Sequence, residues 1–178
     1  MVQLNFDPFP VLETDRLLLR KITLEDAEDI FLLRTKEAAM KYIKKPKLRS
    51  IYDAIELINV MNNPDRIQFG ITLKNENRII GTIGYHRIVN EHYRAEIGYM
   101  LDPAHWNTGL MSEAITKVMS FGFTEVKLHS IEAIIDPKNT VSRKILQKFN
   151  FNKEAYFKEN FFFEGEFYDS EVYSLVKR

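Results

Sequence analysis

No cysteine occurs in the 178 residues, which excludes disulfides, thiolate metal centres and a thiol nucleophile. The same absence is consistent with a reducing, cytoplasmic setting. Net charge is missing as well: 25 basic residues balance 25 acidic ones, so no global field favours DNA or an anionic membrane. Any anion site must therefore be local. No apolar run approaches the ~18 residues that a membrane span needs. The start of the chain, Met-Val-Gln-Leu-Asn-Phe-Asp-Pro-Phe-Pro, has neither the basic nor the apolar region of a signal peptide. His86, His92, His105 and His129 are scattered, with no pair at i, i+4 and no thiol partner, so no metal site is expected. Repeats, low-complexity tracts and a Pro/Gly/Ser linker are lacking too, and the expectation is one domain over 1–178.

What is present is apolar substance and alternation. Hydrophobic residues make up 45% and aromatics 12% of the chain, enough to fill a substantial core. A leucine-rich run at 16–22 is too short for a helix and reads as a first strand. Thr23, with Asp26 three residues on, caps a helix through Ile30, Phe31 and Arg34. A basic loop at 41–49 follows, and Ser50 opens a second helix with Ile51, Ala54, Ile55, Ile58 and Met61 on one face. Segments 66–73 and 78–86 flank turn residues and predict a hairpin. Segment 93–101 is a further strand. A helix at 109–124 and a strand at 128–135 complete a crossover, so strands 93–101 and 128–135 are expected to run parallel. A last helix ends near Phe149 and Asn150, and 154–163 and 167–176 form a closing hairpin across Glu164 and Gly165. Phe161, Phe162, Phe163, Phe167 and Tyr168 are expected in core and sheet packing, with an acceptor groove or a dimer contact as alternatives.

The junction between strand 93–101 and helix 109–124 carries the most chemistry. A helix's first turn leaves backbone N–H groups without intrahelical partners, and its macrodipole places about half a positive charge there. A diphosphate can dock on such an end without Lys or Arg. Gly109 has no Cβ to hold a phosphate away.

Four segments together resemble the GNAT superfamily of acyl-CoA N-acetyltransferases, most closely its RimJ/RimL-type ribosomal-protein branch. They are Leu-Glu-Thr-Asp-Arg-Leu-Leu-Leu-Arg at 12–20, the junction at 96–114, Asp-Pro-Lys-Asn-Thr-Val-Ser at 136–142, and the hairpin from Phe157 to Asp169. Each is weak alone, and their order and spacing carry the resemblance. It implies an α+β fold with a mixed, mostly antiparallel seven-stranded sheet flanked by about four helices. It also implies acetyl-CoA as cosubstrate, without a metal, and direct transfer of the acetyl group to a primary amine. The expected acceptor is a protein or peptide α-amine. A small amine (polyamine, amino acid or amine toxin) and a non-catalytic acyl-CoA sensor are the alternatives. A homodimer is compatible with the resemblance.

The resemblance also implies site residues. Cofactor contacts are expected along Gly98, Tyr99, Met100 and Leu101 of the strand, along Trp106, Asn107, Thr108, Gly109, Leu110 and Met111 of the loop, and at Asn139 and Ser142. Main-chain N–H groups at a bulge near Gly98 and Tyr99 would polarise the thioester carbonyl, although Gly98 can equally mark a bend. In the loop the branch usually has Gly where Asn107 stands, and Asn tolerates left-handed backbone. Met111 is bulkier than the pattern and puts close approach of the helix start in doubt. Glu96 matches a position used as general base by some members, an ordinary solvated strand carboxylate being the alternative. Ser142 matches a proposed acid for the leaving sulfur, and Asn139 a pantetheine contact that is also a good N-cap. A carboxylate base is expected in the penultimate strand. Counting from Ser142 lands on Phe161, with Glu159 two residues earlier on the same face if that strand is regular.

Overall fold

A computed structural model describes residues 2–4 and 6–177. Its strands are β1 (Leu12–Glu13), β2 (Leu17–Lys21), β3 (Ile67–Leu73), β4 (Gly81–Val89), β5 (Arg94–Leu101), β6 (Ser130–Ile135), β7 (Asn152–Phe163) and β8 (Glu166–Val176). Its helices are α1 (Ala27–Thr35), α2 (Glu37–Met40), α3 (Ile51–Met61), α4 (Leu110–Thr124) and α5 (Thr140–Lys148). The strands form one eight-stranded sheet in the order β1-β2-β3-β4-β5-β6-β8-β7. The architecture is the expected mixed one. The eighth strand is the two-residue β1, and the fifth helix is the single turn α2, both too short for a periodic signal.

Two of the helices, α3 and α5, begin at side-chain caps. Ser50 Oγ accepts the Asp53 N–H at 3.3 Å, and Asn139 Oδ1 accepts the Ser142 N–H at 3.0 Å. Thr23 N–H donates to Asp26 Oδ2 at 2.7 Å, but the turn it starts is a 3-10 segment, and the α-helix proper opens at Ala27. The expected parallel pair is present. β5 and β6 pair through Arg94↔Ser130, Ala95↔Ile131 and Glu96↔Glu132, the crossover being α4, whereas β3–β4 and β7–β8 are antiparallel hairpins.

The sheet is covered on both faces. Ala114, Ile115 and Val118 of α4 pack with Leu17, Phe69, Ile83, Tyr85 and Ile97 in the larger core, and Tyr85 Oη donates to the Val118 carbonyl at 2.9 Å. Burial raises the Tyr85 phenol far above its ordinary value, so it remains a donor. On the other face Ile30 of α1 and Ala54 and Ile58 of α3 close over Ile22 and Ile79. The aromatics of the closing hairpin depart from the core expectation. β7 is the outer strand, and Phe161, Phe162 and Phe167 are exposed, the rings of Phe162 and Phe167 lying 4.9 Å apart.

Candidate active site

The parallel pair stops early. Beyond Glu96↔Glu132, β5 stays bonded to β4 as far as Leu101↔Gly81, and β6 stays bonded to β8 as far as Ile135↔Glu171. The facing edges of β5 and β6 are thereby left open to hydrogen-bond an extended ligand. A cavity of about 310 Å³ opens at this gap, and its walls include Gly98, Tyr99 and Met100 of β5, Ala133 and Ile134 of β6, and Asn139 and Ser142 of α5. Residues from both faces of β5 reach it, so the gap joins the two sides of the sheet.

On the α1 side the wall carries charge. Glu96 Oε1 lies 3.2 Å from His86 Nε2, and Glu96 Oε2 lies 3.2 Å from Arg87 Nη1. Consecutive strand residues ordinarily point to opposite faces. Here the β4–β5 register shifts between His86 and Val89, and Arg87 adopts φ 49°, so both side chains meet one carboxylate. Glu96 is therefore a shielded carboxylate with two basic neighbours rather than a solvated one, although its Oε2 is buried without a hydrogen bond. The imidazole lies over Gly98: a Cβ built there would meet His86 Cε1 at 2.7 Å. Gly98 is needed for this approach.

The bulge lies on β4 instead of at Gly98 and Tyr99. β5 passes through these residues in unbroken register, Gly98 opposite Gly84 and Tyr99 opposite Ile83. Neighbouring N–H groups of a regular strand point to opposite edges, so one of the two, not both, faces the gap.

On the other side of β5, the Tyr99 hydroxyl is buried without a hydrogen bond of good geometry. Burial pushes its phenol up to about 12, and the Ser142 hydroxyl pulls it partly back. It stays protonated. The start of α5 is anchored by Glu171, a buried carboxylate on β8. Arg143 Nε donates to it at 3.1 Å, Lys153 Nζ at 2.8 Å and Tyr173 Oη at 2.9 Å. Burial alone would raise the Glu171 carboxyl, but these three donors hold it below its ordinary range.

At the far end of β5 the loop into α4 is locked by its own side chains. Trp106 Nε1 donates to the Leu101 carbonyl at 2.8 Å, and Thr108 Oγ1 donates to the His105 carbonyl at 2.6 Å. Asn107 sits at φ 61°, the left-handed backbone its side chain tolerates, and Gly109 caps α4 at φ 81°. Among the described residues no side chain caps this helix, so its first N–H groups are open to a ligand. Leu110 and Met111 are buried in the larger core. Arg16 adds a cation that the loop sequence does not announce. It donates to the Thr108 carbonyl at 3.0 Å and pairs with Glu113 at 2.7 Å, and a Cβ on Gly109 would lie 3.5 Å from its Nη2. Open amides, a glycine at the closest approach and a guanidinium beside it fit a diphosphate.

The structure thus brings Glu96, Gly98, Tyr99, Met100, Asn139 and Ser142 to one cavity, with Leu101 and the loop from Trp106 to Met111 continuing from the same strand. Glu159 is not brought there. The β7–β8 register shifts between Phe157 and Phe161, and Glu159 stands exposed at φ 51° with its N–H donating to Asp169 Oδ1 at 2.8 Å. The regular strand that would have aligned it with Phe161 is broken at that point. His86, Arg34, Tyr42 and Lys45 also line the cavity. The signal for His86 was the hairpin register, which sets it opposite Glu96. The signal for Arg34 was its helical spacing from Ile30, another lining residue.

Comparison with known proteins places the chain in a family. The profile of the acetyltransferase (GNAT) domain matches residues 16–152. An uncharacterized N-acetyltransferase of Bacillus subtilis, YoaA, is 40% identical over 95% of this chain and 98% of its own length. A GNAT-family acetyltransferase from Bacillus anthracis superposes with a TM-score of 0.84 at 31% identity, covering 94% of this chain and 98% of its own. RimL, a ribosomal L7/L12 α-N-protein acetyltransferase solved with coenzyme A, superposes with a TM-score of 0.85 at 17% identity, covering 94% of this chain and 98% of its own.

Proposed function

Because this chain belongs to the GNAT family of acetyltransferases, we propose that it moves the acetyl group of acetyl-CoA directly to a primary amine, the acceptor being a protein or peptide α-amine. The observation that carries this reading is the gap between β5 and β6, which has a charged wall on the α1 face and lies on the strand that runs on into the open N-terminal end of α4. The thioester supplies an acyl group already activated for attack by an amine. The first N–H groups of α4 and Arg16 hold the diphosphate, and the open edges of β5 and β6 hold the pantetheine arm. The N–H of Gly98 or Tyr99 that faces the gap donates to the thioester carbonyl. The absence of cysteine from the chain suits direct transfer.

The acceptor enters from the α1 face, where His86 stands over Gly98. An α-amine, with a reference pKa of about 7.7 to 8.0, is partly neutral near pH 7, whereas Lys at about 10.4 requires a much stronger base. The carboxylate of Glu96 already receives Arg87 and His86, so it orients the imidazole, and His86 takes the proton that the amine loses on forming the amide. Ser142, with the Tyr99 phenol behind it, gives a proton to the sulfur as the C–S bond breaks. Fold likeness to RimL, the family membership and the clustering of these residues in one cavity support the assignment.

Release of free CoA thiol tests it. Peptides with N-terminal Ala or Ser are mixed with enzyme and acetyl-CoA beside a panel of polyamines, amino acids and amine toxins. Release with the peptides supports the reading. Release with small amines alone moves the acceptor to that class, and no release with any amine leaves an acyl-CoA sensor.

A further inference from the structure

One cation of the cavity is left over. Arg34, in the last turn of α1, lines it together with Ile30 and Leu33, and its Nε is buried with no hydrogen-bond partner among the described residues. No described carboxylate pairs with it either, and Lys45 on the same wall is likewise without one. The two carboxylates of the wall are already met. Glu96 holds His86 and Arg87, and Asp136 lies 3.9 Å from Lys44 and accepts the Lys138 N–H at 2.8 Å. The wall therefore carries surplus positive charge, part of it on Arg34, which is half-buried with its Nε enclosed.

A cation at a helix C-terminus is favoured by the macrodipole, but that benefit needs only a solvated side chain. Enclosing one without a partner is costly, and orphaned buried donors call for a partner that the chain itself does not supply. Burial indeed lowers the Arg34 pKa, with no neighbouring acid to oppose the effect. The planar fork suits a carboxylate, which it can meet through two parallel hydrogen bonds.

We propose that Arg34, assisted by Lys45, is an anion subsite of the acceptor cleft, so that the preferred acceptor carries a carboxylate close to its reacting amine. This rests on the acetyl-transfer reading above and narrows its acceptor. Two sources of that group fit a cavity of about 310 Å³: the α-carboxylate of a free amino acid, or an acidic side chain at the second position of a peptide. A polyamine would place cations against the surplus charge and is disfavoured.

The experiment compares matched acceptors by thiol release: alanine against alaninamide, and peptides starting Ala-Asp or Ala-Glu against Ala-Asn or Ala-Gln, with spermidine beside them. In the wild type the acidic member of at least one pair is used with a kcat/KM ten- to a hundredfold higher, the range expected for one charge-assisted pair. The pair that shows the ratio identifies the source. Arg34→Gln erases the ratio by raising KM for the acidic member far more than for its neutral partner, and Arg34→Lys restores part of it. Equal use of acid and amide in both pairs, spermidine as the best acceptor, or an equal loss on all acceptors in Arg34→Gln overturns the proposal. If that variant does not fold, the wild-type ratios decide alone. If no amine releases thiol, the acetyl-transfer reading fails separately. Calorimetric binding of N-acetylalanine and N-acetyl-Ala-Asp peptide to the wild type, against their amides, then decides the subsite: equal binding of acid and amide overturns it.

Discussion

Replacing Gly98 by Ala separates the chemistry of the cleft from the stability of the sheet. The added Cβ would stand 2.7 Å from His86 Cε1 and 3.3 Å from Nδ1, whereas carbon atoms pack best at roughly 3.5–4.0 Å. The imidazole must therefore retreat by about 1 Å. Its contact with Glu96 is 3.2 Å long and is lost on such a move, since it would then lie beyond hydrogen-bonding distance. A displacement of about 1 Å in a reacting group costs on the order of a hundredfold in rate, so kcat for α-amine acceptors falls by about that factor. Stability does not fall with it. The crowded atoms belong to a side-chain tip at the cleft, and Ala within a strand is worth roughly 0.5–1 kcal/mol over Gly. Gly84→Ala is the contrasting control: its Cβ would lie 2.0 Å from the Ile67 carbonyl oxygen, backbone that cannot step aside, and the protein unfolds at lower temperature. The assays are steady-state thiol release and thermal unfolding of both variants. Wild-type kcat in folded Gly98→Ala would refute the placement of His86 in the reaction.

Three further outcomes are expected. His86→Gln lowers kcat by about 10²-fold or more, while Glu96→Gln loses less; steady-state thiol release by the two variants checks this. Glu171→Gln lowers unfolding free energy at neutral pH by about 2–3 kcal/mol. Because its folded carboxyl is held below the ordinary range, that stabilisation is present above the unfolded pKa and lost as pH falls through the folded one. Denaturant melts at stepped pH should show the two proteins converging in acid. Gly109→Ala forces a side chain into φ 81°, costs ~1–2 kcal/mol of stability and weakens CoA binding in a calorimetric titration.

The elements were legible wherever period and cap agreed. Ser50 and Asn139 announce their helices, and the crossover through α4 dictates the parallel pairing of β5 with β6. What could not be read was geometry that depends on distant or irregular backbone. Arg16 reaches the loop before α4 from a strand end far away in the sequence. His86 looked like one of four scattered histidines until its register set it against Glu96, and the β4 bulge turned Arg87 to the same carboxylate. The break in β7 had no sequence signal, and it removed Glu159 from the place that simple counting gave it. Aromatic content predicted burial for Phe161, Phe162 and Phe167, but sheet order leaves β7 outermost and these rings in solvent.

The central claim is that the gap between β5 and β6 is where acetyl-CoA lies, and a crystal structure of the protein with CoA tests it most directly. The account predicts the diphosphate against the main-chain N–H groups of Leu110, Met111 and Ser112, and the pantetheine arm between the two strands with its sulfur near Tyr99 and Ser142. A CoA bound elsewhere, with the strands still apart and the start of α4 bare, would contradict it.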